Sequence, residues 1–303
     1  MALFFSDVDL ELARDNLDSK PISDALRLLD AQPEDTLEAA QLLAYKFLFR
    51  RDATAGDATI EALNRQDFIA AASLDLPALK RQLGWLSVLA MLRGHRQWRP
   101  HAEDSLRVID SFVQRGLRSG GECDPARLGW QAAASMAAAI LTEDNTSFQR
   151  ACDVYRRIVD EHIHPEGYIK GAVDVDGATE TYQAQFSATC ALVLIAEMAG
   201  QAGVDLWDYD NRAVSANTAA AYTYYYYFFP ESWRWEDGLT RETTMAIMRR
   251  EGAFFEMVNR RGHLRGVEQL FAEQRPMFSA TGGGLTTLTH SLAPPKKRRW
   301  RLF

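Results

Sequence analysis

Residues 182–207 read YQAQFSATCALVLIAEMAGQAGVDLW, and they carry the clearest structural pattern in the chain. Between Phe186 and Ala199 apolar side chains recur at the spacing of an α-helix, so this segment predicts a helix. The same spacing returns in Leu26–Leu29, Leu37–Leu48, Leu79–Leu92, Leu106–Val113, Ala132–Leu141, Phe148–Ile163 and Met245–Val258.

Short breaks separate these helical runs, and no strand pattern alternates with them. The sequence therefore predicts an all-α protein of roughly ten helices. Consecutive helices with short connections pack as antiparallel pairs, and many such pairs form a bundle, a solenoid or a closed toroid. Since no linker divides the chain, we expect one domain over 1–303. The segment GGGLTTLT at 282–289 is predicted to be a short strand or an ordered loop.

The composition is typical of a globular protein, with 303 residues of which 47% are hydrophobic and 25% charged. No apolar stretch approaches the ~20 residues that a membrane-spanning helix needs. Cys123, Cys152 and Cys190 form no CxxC pair, which argues against a zinc knuckle and a disulfide framework. The net charge of −7 disfavours nucleic-acid binding but is compatible with a local basic cleft.

The two ends of the chain differ in charge. The N-terminus, MALFFSDVDLELARD, has no basic segment, long apolar segment or cleavage site, so it predicts no export signal in this sequence. The predicted tail 292–303 contains the basic run KKRRWR at 296–301. Such a run is typical of a solvated end, and the alternatives are a strap across the body or a contact with a polyanion.

Motifs of several enzyme classes are missing from the sequence. HExxH and GxSxG do not occur, and no glycine-rich phosphate loop lies between a strand and a helix. His162 and His164 are two residues apart, which places them on one side of an extended segment but not of a helix. Because a metal site needs further ligands, we predict neither a metal ion nor an organic cofactor.

Aromatic residues suggest a carbohydrate-binding surface. Residues 222–229 read YTYYYYFF, and Pro230, Trp233 and Trp235 follow. A helix that is aromatic on every side cannot bury all its rings in one core, so it is either wedged between layers or presents rings to sugars. Trp233 and Trp235 are the better candidates for sugar contacts because they follow a proline in a predicted loop.

The stretch quoted first resembles the alginate lyase family. YQAQF at 182–186, the apolar helix with AE at 196–197 and GVDLW at 203–207 match the family's tyrosine segment, apolar helix and Gly-Val-Asp-Leu ending. PESW at 230–233 and GGLTTL at 283–288 look like later landmarks of the same family. The resemblance implies an (α/α) toroid of antiparallel helix pairs around a cleft. It also implies a carbon–oxygen lyase that cleaves a uronic-acid polysaccharide such as alginate by β-elimination.

The resemblance also implies roles for individual residues. β-Elimination needs a base, an acid and a positive group that neutralises the uronate carboxylate. Tyr182 corresponds by its local motif to the family's acid/base tyrosine. Aligning the family's helix tryptophan with Trp130 places Ala126 and Arg127 where the family has Asn-His, so Arg127 is the candidate for neutralising the carboxylate. His164 is a further catalytic candidate. The predicted sugar contacts are Trp130, Tyr168, Gln185, Trp233 and Trp235.

The sequence departs from the family in two places. The Asn-His pair is lost, and residues 171–181 contain no basic residue but do contain Asp174, Asp176 and Glu180. One alternative is therefore an inactive carbohydrate-binding or scaffold protein that keeps the toroid. Another is an α/α glycoside hydrolase with paired carboxylates. An active lyase should place Tyr182 in a cleft beside a positive group, and a hydrolase should release no unsaturated product.

The partner that the resemblance implies is an acidic polysaccharide, and no cofactor is implied. Proteins of the resembled family are usually periplasmic or secreted, whereas this sequence shows no export signal. An exported and a cytoplasmic location therefore both stay open. The sequence does not fix the oligomeric state.

Overall fold

Helices make up the regular structure of the computed structural model, which describes residues 2–66, 75–99, 124–212, 214–233, 238–262 and 264–292. These residues contain no β-strand and only three isolated bridges. In chain order the α-helices are α1 (Asp7–Arg14), α2 (Ile22–Leu28), α3 (Thr36–Arg50), α4 (Ala53–Arg65), α5 (Leu76–Met91), α6 (Pro125–Thr142), α7 (Asn145–Glu161), α8 (Ala178–Gln201), α9 (Ala216–Phe228), α10 (Arg241–Glu251), α11 (Phe255–Gly262), α12 (Val267–Gln274) and α13 (Thr286–His290).

Some sequence predictions fall outside the described residues. They are the helical run Leu106–Val113, Cys123, the predicted sugar contact Trp235 and nearly all of the basic tail 292–303.

Helices α3, α5, α6 and α8 form an inner layer in which each helix packs against the next. Helix α4 packs on α3, α7 on α6 and α9 on α8, so outer helices cover the inner ones. Burial agrees with this order, because α6 and α8 bury almost every residue whereas α7 buries one face. The predicted all-α fold of helix pairs is confirmed.

Aspartates precede five of the described helices. Asp35, Asp52, Asp75, Asp124 and Asp144 precede α3 to α7, and each carboxylate accepts hydrogen bonds from amides of the first helical turn. Such a cap stabilises a helix by about 1 kcal/mol. The starts of the paired helices are therefore encoded locally in the sequence.

The C-terminal loop closes over the inner layer. Gln41 of α3 donates to the carbonyl of Ala280 at 2.8 Å, and the hydroxyl of Tyr45 accepts a bond from the amide of Leu285 at 3.1 Å. Gly284 has a φ of 82°, and a Cβ there would lie 2.3 Å from the Tyr45 hydroxyl, so glycine is required. The segment predicted as a strand or loop is thus a turn that leads into α13.

The N-terminal segment packs against α3 and against the C-terminal helices. The Phe5 ring stacks on Tyr45 with centroids 6.0 Å apart, and Asp9 of α1 forms an ion pair with Arg260 of α11. Helix α13 contacts both α1 and α2, which brings the two ends of the described chain together. None of the described helices is both long enough and apolar enough to cross a membrane.

Candidate functional site

Gln185 organises the N-terminal end of α8. Its side chain is fully buried, and its Oε1 accepts a hydrogen bond from the amide of Ile169 at 2.7 Å. Its Nε2 donates to the hydroxyl of Thr223 on α9 at 3.2 Å. Gln185 therefore ties the loop 162–177 and α9 to α8. The expected sugar contact by Gln185 does not fit this position, since its polar atoms are used inside the protein.

Tyr182 lies one turn earlier on α8 and is 0% exposed. Its hydroxyl donates to the main-chain carbonyl of Thr223 at 3.0 Å. Burial raises the pKa of Tyr182 well above its ordinary value, and the neighbouring Tyr227 raises it further. The phenol is therefore protonated at neutral pH and engaged within the protein. This position differs from the cleft-facing acid/base that the resemblance implies.

A row of aromatic rings crosses from the loop 162–177 to α9. The ring of His164 stacks on Tyr168 with centroids 4.3 Å apart, and Tyr168 lies 6.1 Å from Tyr222. Tyr222 in turn lies 6.0 Å from Trp233, which meets Tyr182 edge-on at 5.5 Å. The structure thus brings together four of the predicted site residues, His164, Tyr168, Tyr182 and Trp233.

Only part of this row is open to solvent. His164 and Tyr168 are half-buried, whereas Trp233 is buried and its Nε1 donates to the hydroxyl of Thr181 at 3.3 Å. The expectation that Trp233 stacks on a sugar therefore does not fit its position. His164 is also engaged, since its Nδ1 accepts a hydrogen bond from the amide of Glu166 at 3.2 Å.

The row continues to two exposed rings at the end of α9. Tyr226 lies 4.9 Å from Tyr222 and 5.0 Å from Tyr225. Tyr225 and Phe229 are about half exposed, and their centroids are 5.1 Å apart. We call Tyr225 and Phe229 the exposed aromatic pair. It was predicted only as part of an aromatic run, because the sequence does not show which rings face outward.

Trp130 lies inside the helix layer, not on a cleft surface. It is 1% exposed, and its Nε1 donates to the hydroxyl of Ser187 on α8 at 3.0 Å. The ammonium group of Lys80 on α5 lies 5.4 Å from the Trp130 ring centroid. Lys80 also forms a buried ion pair with Glu251 at the end of α10, with Nζ and Oε2 2.7 Å apart.

The Lys80–Glu251 pair was not predicted as part of the site. Burial favours a higher pKa for Glu251, but the charges of Lys80 and Arg250 outweigh it and hold that pKa below its usual range. The available signal was a lysine inside the apolar run Leu79–Leu92, where a charge is unexpected unless it is paired. The interior of the helix layer therefore contains a cation that is neutralised within the protein.

Arg127 is exposed on the first turn of α6, behind the cap Asp124. Pro125, two residues before Arg127, packs against the loop 162–177, since a Cβ on Gly171 would lie 3.0 Å from Pro125 Cδ. No hydrogen bond, ion pair or ring contact joins Arg127 to Tyr182 within the described chain. The two residues central to the predicted elimination are therefore in different settings, one on the surface and one in the core.

The carboxylates of the loop 162–177 and of the first turn of α8 face solvent. Asp174, Asp176 and Glu180 are all exposed, so they do not form a buried acid pair. Lys170 is exposed nearby, and its ammonium group donates to the carbonyl of Glu161 at 3.2 Å. Among the described residues no group of three His, Cys, Asp or Glu side chains is placed to hold a metal ion.

Comparison with known proteins identifies the family. The model of the family described as "Alginate lyase" matches residues 34–233, which is more than half of the chain. This chain belongs to the alginate lyase family. No curated protein sequence matches it.

Solved structures of alginate lyase A1-III have the same fold. A histidine-to-alanine variant complexed with a tetrasaccharide has a TM-score of 0.74 at 15% identity, covering 98% of this chain and 97% of that one. A tyrosine-to-phenylalanine variant complexed with a tetrasaccharide has a TM-score of 0.75 at 14% identity, with the same coverage. The enzyme from Sphingomonas species A1 has a TM-score of 0.69 at 15% identity, covering 91% and 78% of the two chains. The predicted α/α toroid is therefore confirmed.

Proposed function

We propose that this protein binds an acidic polysaccharide of the uronic-acid class and that Tyr182 has a structural role in it. The observation that carries the proposal is the fully buried Tyr182 hydroxyl, which donates to the carbonyl of Thr223. Family membership and the toroid fold support the polysaccharide as the ligand class. In this proposal the chain binds the polymer and does not cleave it, because Tyr182 is not available as a catalyst.

The chemistry of elimination explains why burial matters. A tyrosine with an ordinary pKa of ~10 is already ionised in only ~0.1% of molecules at pH 7, which costs about 4 kcal/mol if it must act as the base. Burial raises the pKa of Tyr182 further and so increases this cost. A general acid or base must also come within hydrogen-bond reach of the sugar. In its buried position the Tyr182 hydroxyl is neither easily ionised nor within hydrogen-bond reach of a sugar.

Arg127 and Lys80 do not replace Tyr182 as the base or the acid of the elimination. Arg127 stays protonated, so it is able to neutralise a carboxylate but not to remove a proton. Lys80 is paired with Glu251 inside the layer. Arg127 therefore favours holding a negatively charged polymer over reacting with it, and Lys80 is available for neither.

The exposed aromatic pair and the exposed cations Arg127 and Lys170 suit a polymer that has both apolar sugar faces and negative charges. Flat rings such as Tyr225 and Phe229 bury apolar sugar faces at low conformational cost. Arg127 and Lys170 are exposed at neighbouring helix and loop ends, where they offer charge to carboxylates.

A second candidate function is polysaccharide lysis by β-elimination, and the family-model match over residues 34–233 favours it. It requires that the N-terminal end of α8 open to expose Tyr182, or that other residues serve as the base and the acid. The two candidates predict different products from the same incubation.

The test combines catalysis and binding. Purified protein is incubated with alginate and glucuronan, and the ultraviolet absorbance of the unsaturated uronate is followed, with calorimetric binding to the same polymers measured in parallel. We expect binding without absorbance, and binding unchanged in Tyr182→Phe. An absorbance signal that disappears in Tyr182→Phe would establish the lyase and overturn the binding-only proposal. Absence of both signals across the panel would overturn the polysaccharide ligand for these polymers. New reducing ends without absorbance would indicate a hydrolase.

A further inference from the structure

A second concave site lies at the opposite end of the inner helices. Lys80 and Trp130 lie near the starts of α5 and α6, which therefore run in the same direction. A cavity of about 440 Å³ lies where both helices end. Helices rise 1.5 Å per residue, so this cavity is roughly 20 Å along α5 from Lys80. Its walls include Arg93, His95, Arg96, Trp98, Arg99 and Glu143, and we call it the arginine pocket.

The base of the arginine pocket is held by fixed hydrogen bonds. The indole Nε1 of Trp98 donates to the carbonyl of Leu89 at 2.6 Å. Arg93 lies 5.8 Å from the Trp98 ring centroid and donates to the carbonyls of Ile140 and Leu141 at 3.3 and 3.4 Å. Carbonyls at a helix end carry partial negative charge, and Arg93 compensates it. Arg93 therefore offsets the repulsion that the carbonyls at the end of α6 would exert on an anion in the pocket.

A second wall is built around a buried histidine. His95 is buried, with its Nε2 3.2 Å from Oδ1 of Asp57, and its ring meets Phe47 edge-on at 5.5 Å. Gly56 leaves room for this ring, because a Cβ there would lie 2.9 Å from His95 Cδ2. Arg96 also approaches Asp57, at 3.3 Å, and its side chain is 76% exposed. Asp57 is therefore already engaged by two basic groups.

Among the described residues around the pocket, the charge balance is positive. Three guanidinium groups, from Arg93, Arg96 and Arg99, face two carboxylates, from Asp57 and Glu143. Arg99 is exposed and makes no ion pair or hydrogen bond with another described residue. This local excess occurs in a chain with a net charge of −7. An anion should therefore bind more favourably in the pocket than on the average surface of the protein.

We propose that the arginine pocket binds an anionic sugar unit, with its acid group on Arg96 and Arg99 and its ring on Trp98. Guanidinium groups pair with planar acid groups through two parallel hydrogen bonds. The half-buried indole offers an apolar face, which a bare inorganic anion does not need. The cavity volume is within the range of small-molecule sites. That the sugar is a uronate rests on the proposed function, whereas the anion site itself does not.

The test uses the full-length protein and three probes: sodium glucuronate, a mannuronate trimer and inorganic phosphate. Binding is measured by calorimetry and by the indole N–H signal of Trp98 in NMR spectra. The variants are Arg99→Ala and Trp98→Ala, and the matched control is Arg65→Ala, since Arg65 is equally surface-placed on α4 with its side chain 79% exposed. We expect both sugar probes to shift the Trp98 signal. Sugar affinity should fall at least tenfold in Arg99→Ala and severalfold in Trp98→Ala, and stay unchanged in Arg65→Ala.

The outcomes separate this inference from the proposed function. Sugar affinity that is equal in the wild type and in both pocket variants would overturn the inference. So would phosphate binding as tight as glucuronate binding and insensitive to Trp98→Ala, since it would indicate a plain anion site. If the polymer binds but glucuronate leaves the Trp98 signal unmoved, the inference fails and the proposed function stands. If glucuronate binds at Trp98 and no polymer binds, the inference stands and the proposed function fails.

Discussion

The two ends of helix α8 are stabilised in different ways. Near its start, Tyr182 and Gln185 hold the site end through neutral hydrogen bonds to α9 and to the loop 162–177. Near its end, Glu197 is a buried carboxylate whose partners are Arg261, Trp207 and Gln201, with His290 3.6 Å away. The hydrogen bonds of Tyr182 and Gln185 therefore involve no charged group, whereas the far end depends on the Glu197 carboxylate and its partners. This difference allows the two ends to be perturbed separately.

The largest expected effect is at the charged end. Burial favours a higher pKa for Glu197, but His290 and Arg261 outweigh it and bring the pKa to about 2. A lowered folded-state pKa stabilises the protein above the ordinary pKa of 4.5, and this stabilisation is lost as the pH falls towards about 2. The shift corresponds to roughly 3 kcal/mol at pH 7. We expect Glu197→Gln to lower the free energy of unfolding by about that amount at pH 7.

Urea unfolding at pH 7, 4.5 and 3 checks this value. The difference between the wild type and Glu197→Gln should narrow at pH 3, because Glu197 is then protonated in the unfolded state, where its pKa is 4.5, but still mostly ionised in the folded state. A difference that is the same at all three pH values would show that the charge of Glu197 is not what stabilises this end.

The next effect is at the neutral end. Gln185→Leu keeps a similar volume but leaves the buried amide of Ile169 without its acceptor. An unsatisfied buried polar group costs about 1–3 kcal/mol, so we expect a loss of about 2 kcal/mol. The loss should be equal at pH 7 and pH 3, whereas the loss in Glu197→Gln should be smaller at pH 3. Denaturant unfolding measures it, and hydrogen exchange at Ile169 should show whether the loop opens. A pH-dependent loss would contradict the division between the two ends.

A smaller effect is expected for Tyr182→Phe. The substitution removes one hydrogen bond to the Thr223 carbonyl and keeps the ring contact with Trp233. A typical buried hydrogen bond contributes about 1 kcal/mol, so the free energy of unfolding should fall by about that amount. Binding of the polymer should not change. If the same variant instead lost polymer binding with unaltered stability, Tyr182 would belong to the binding surface.

The apolar spacing in the sequence predicted the positions of helices but not where a helix is interrupted. The predicted helix Phe186–Ala199 lies inside α8, whereas the run Met245–Val258 is split by a 3-10 turn at Gly252–Phe254 into α10 and α11. Its apolar spacing continues through the break, so periodicity alone does not reveal it. A Cβ on Gly252 would lie 2.2 Å from the sulfur of Met248, four residues earlier on α10, so the side chains at the break are closely packed.

Four of the predicted site residues lie together in the structure, but the sequence did not show how exposed their side chains are. The motif at 203–207 has a physical basis, since Trp207 donates to Glu197 at 3.1 Å and so helps form the charged end of α8. The burial of Tyr182 depends on Thr223 and Trp233, which are 41 and 51 residues away in sequence. Contacts at such separations have no local signature. A motif is therefore able to mark a tyrosine without showing whether it faces a cleft.

The smallest effect on stability, and the sharpest test of the binding surface, is expected at the exposed aromatic pair. Tyr225 and Phe229 are 47% and 48% exposed, so replacing both with alanine should change the free energy of unfolding by less than about 0.5 kcal/mol per ring. If the rings stack on sugars, polymer affinity should fall about tenfold, which equals 1.4 kcal/mol. Leu17→Ala is the matched control, because Leu17 is 40% exposed and lies outside the aromatic row. Calorimetric binding to alginate measures the effect. Equal affinity in the double variant and the control would show that the binding surface does not include this end of α9. The contacts of Tyr182 and Gln185 at the start of α8 would then have only a structural role.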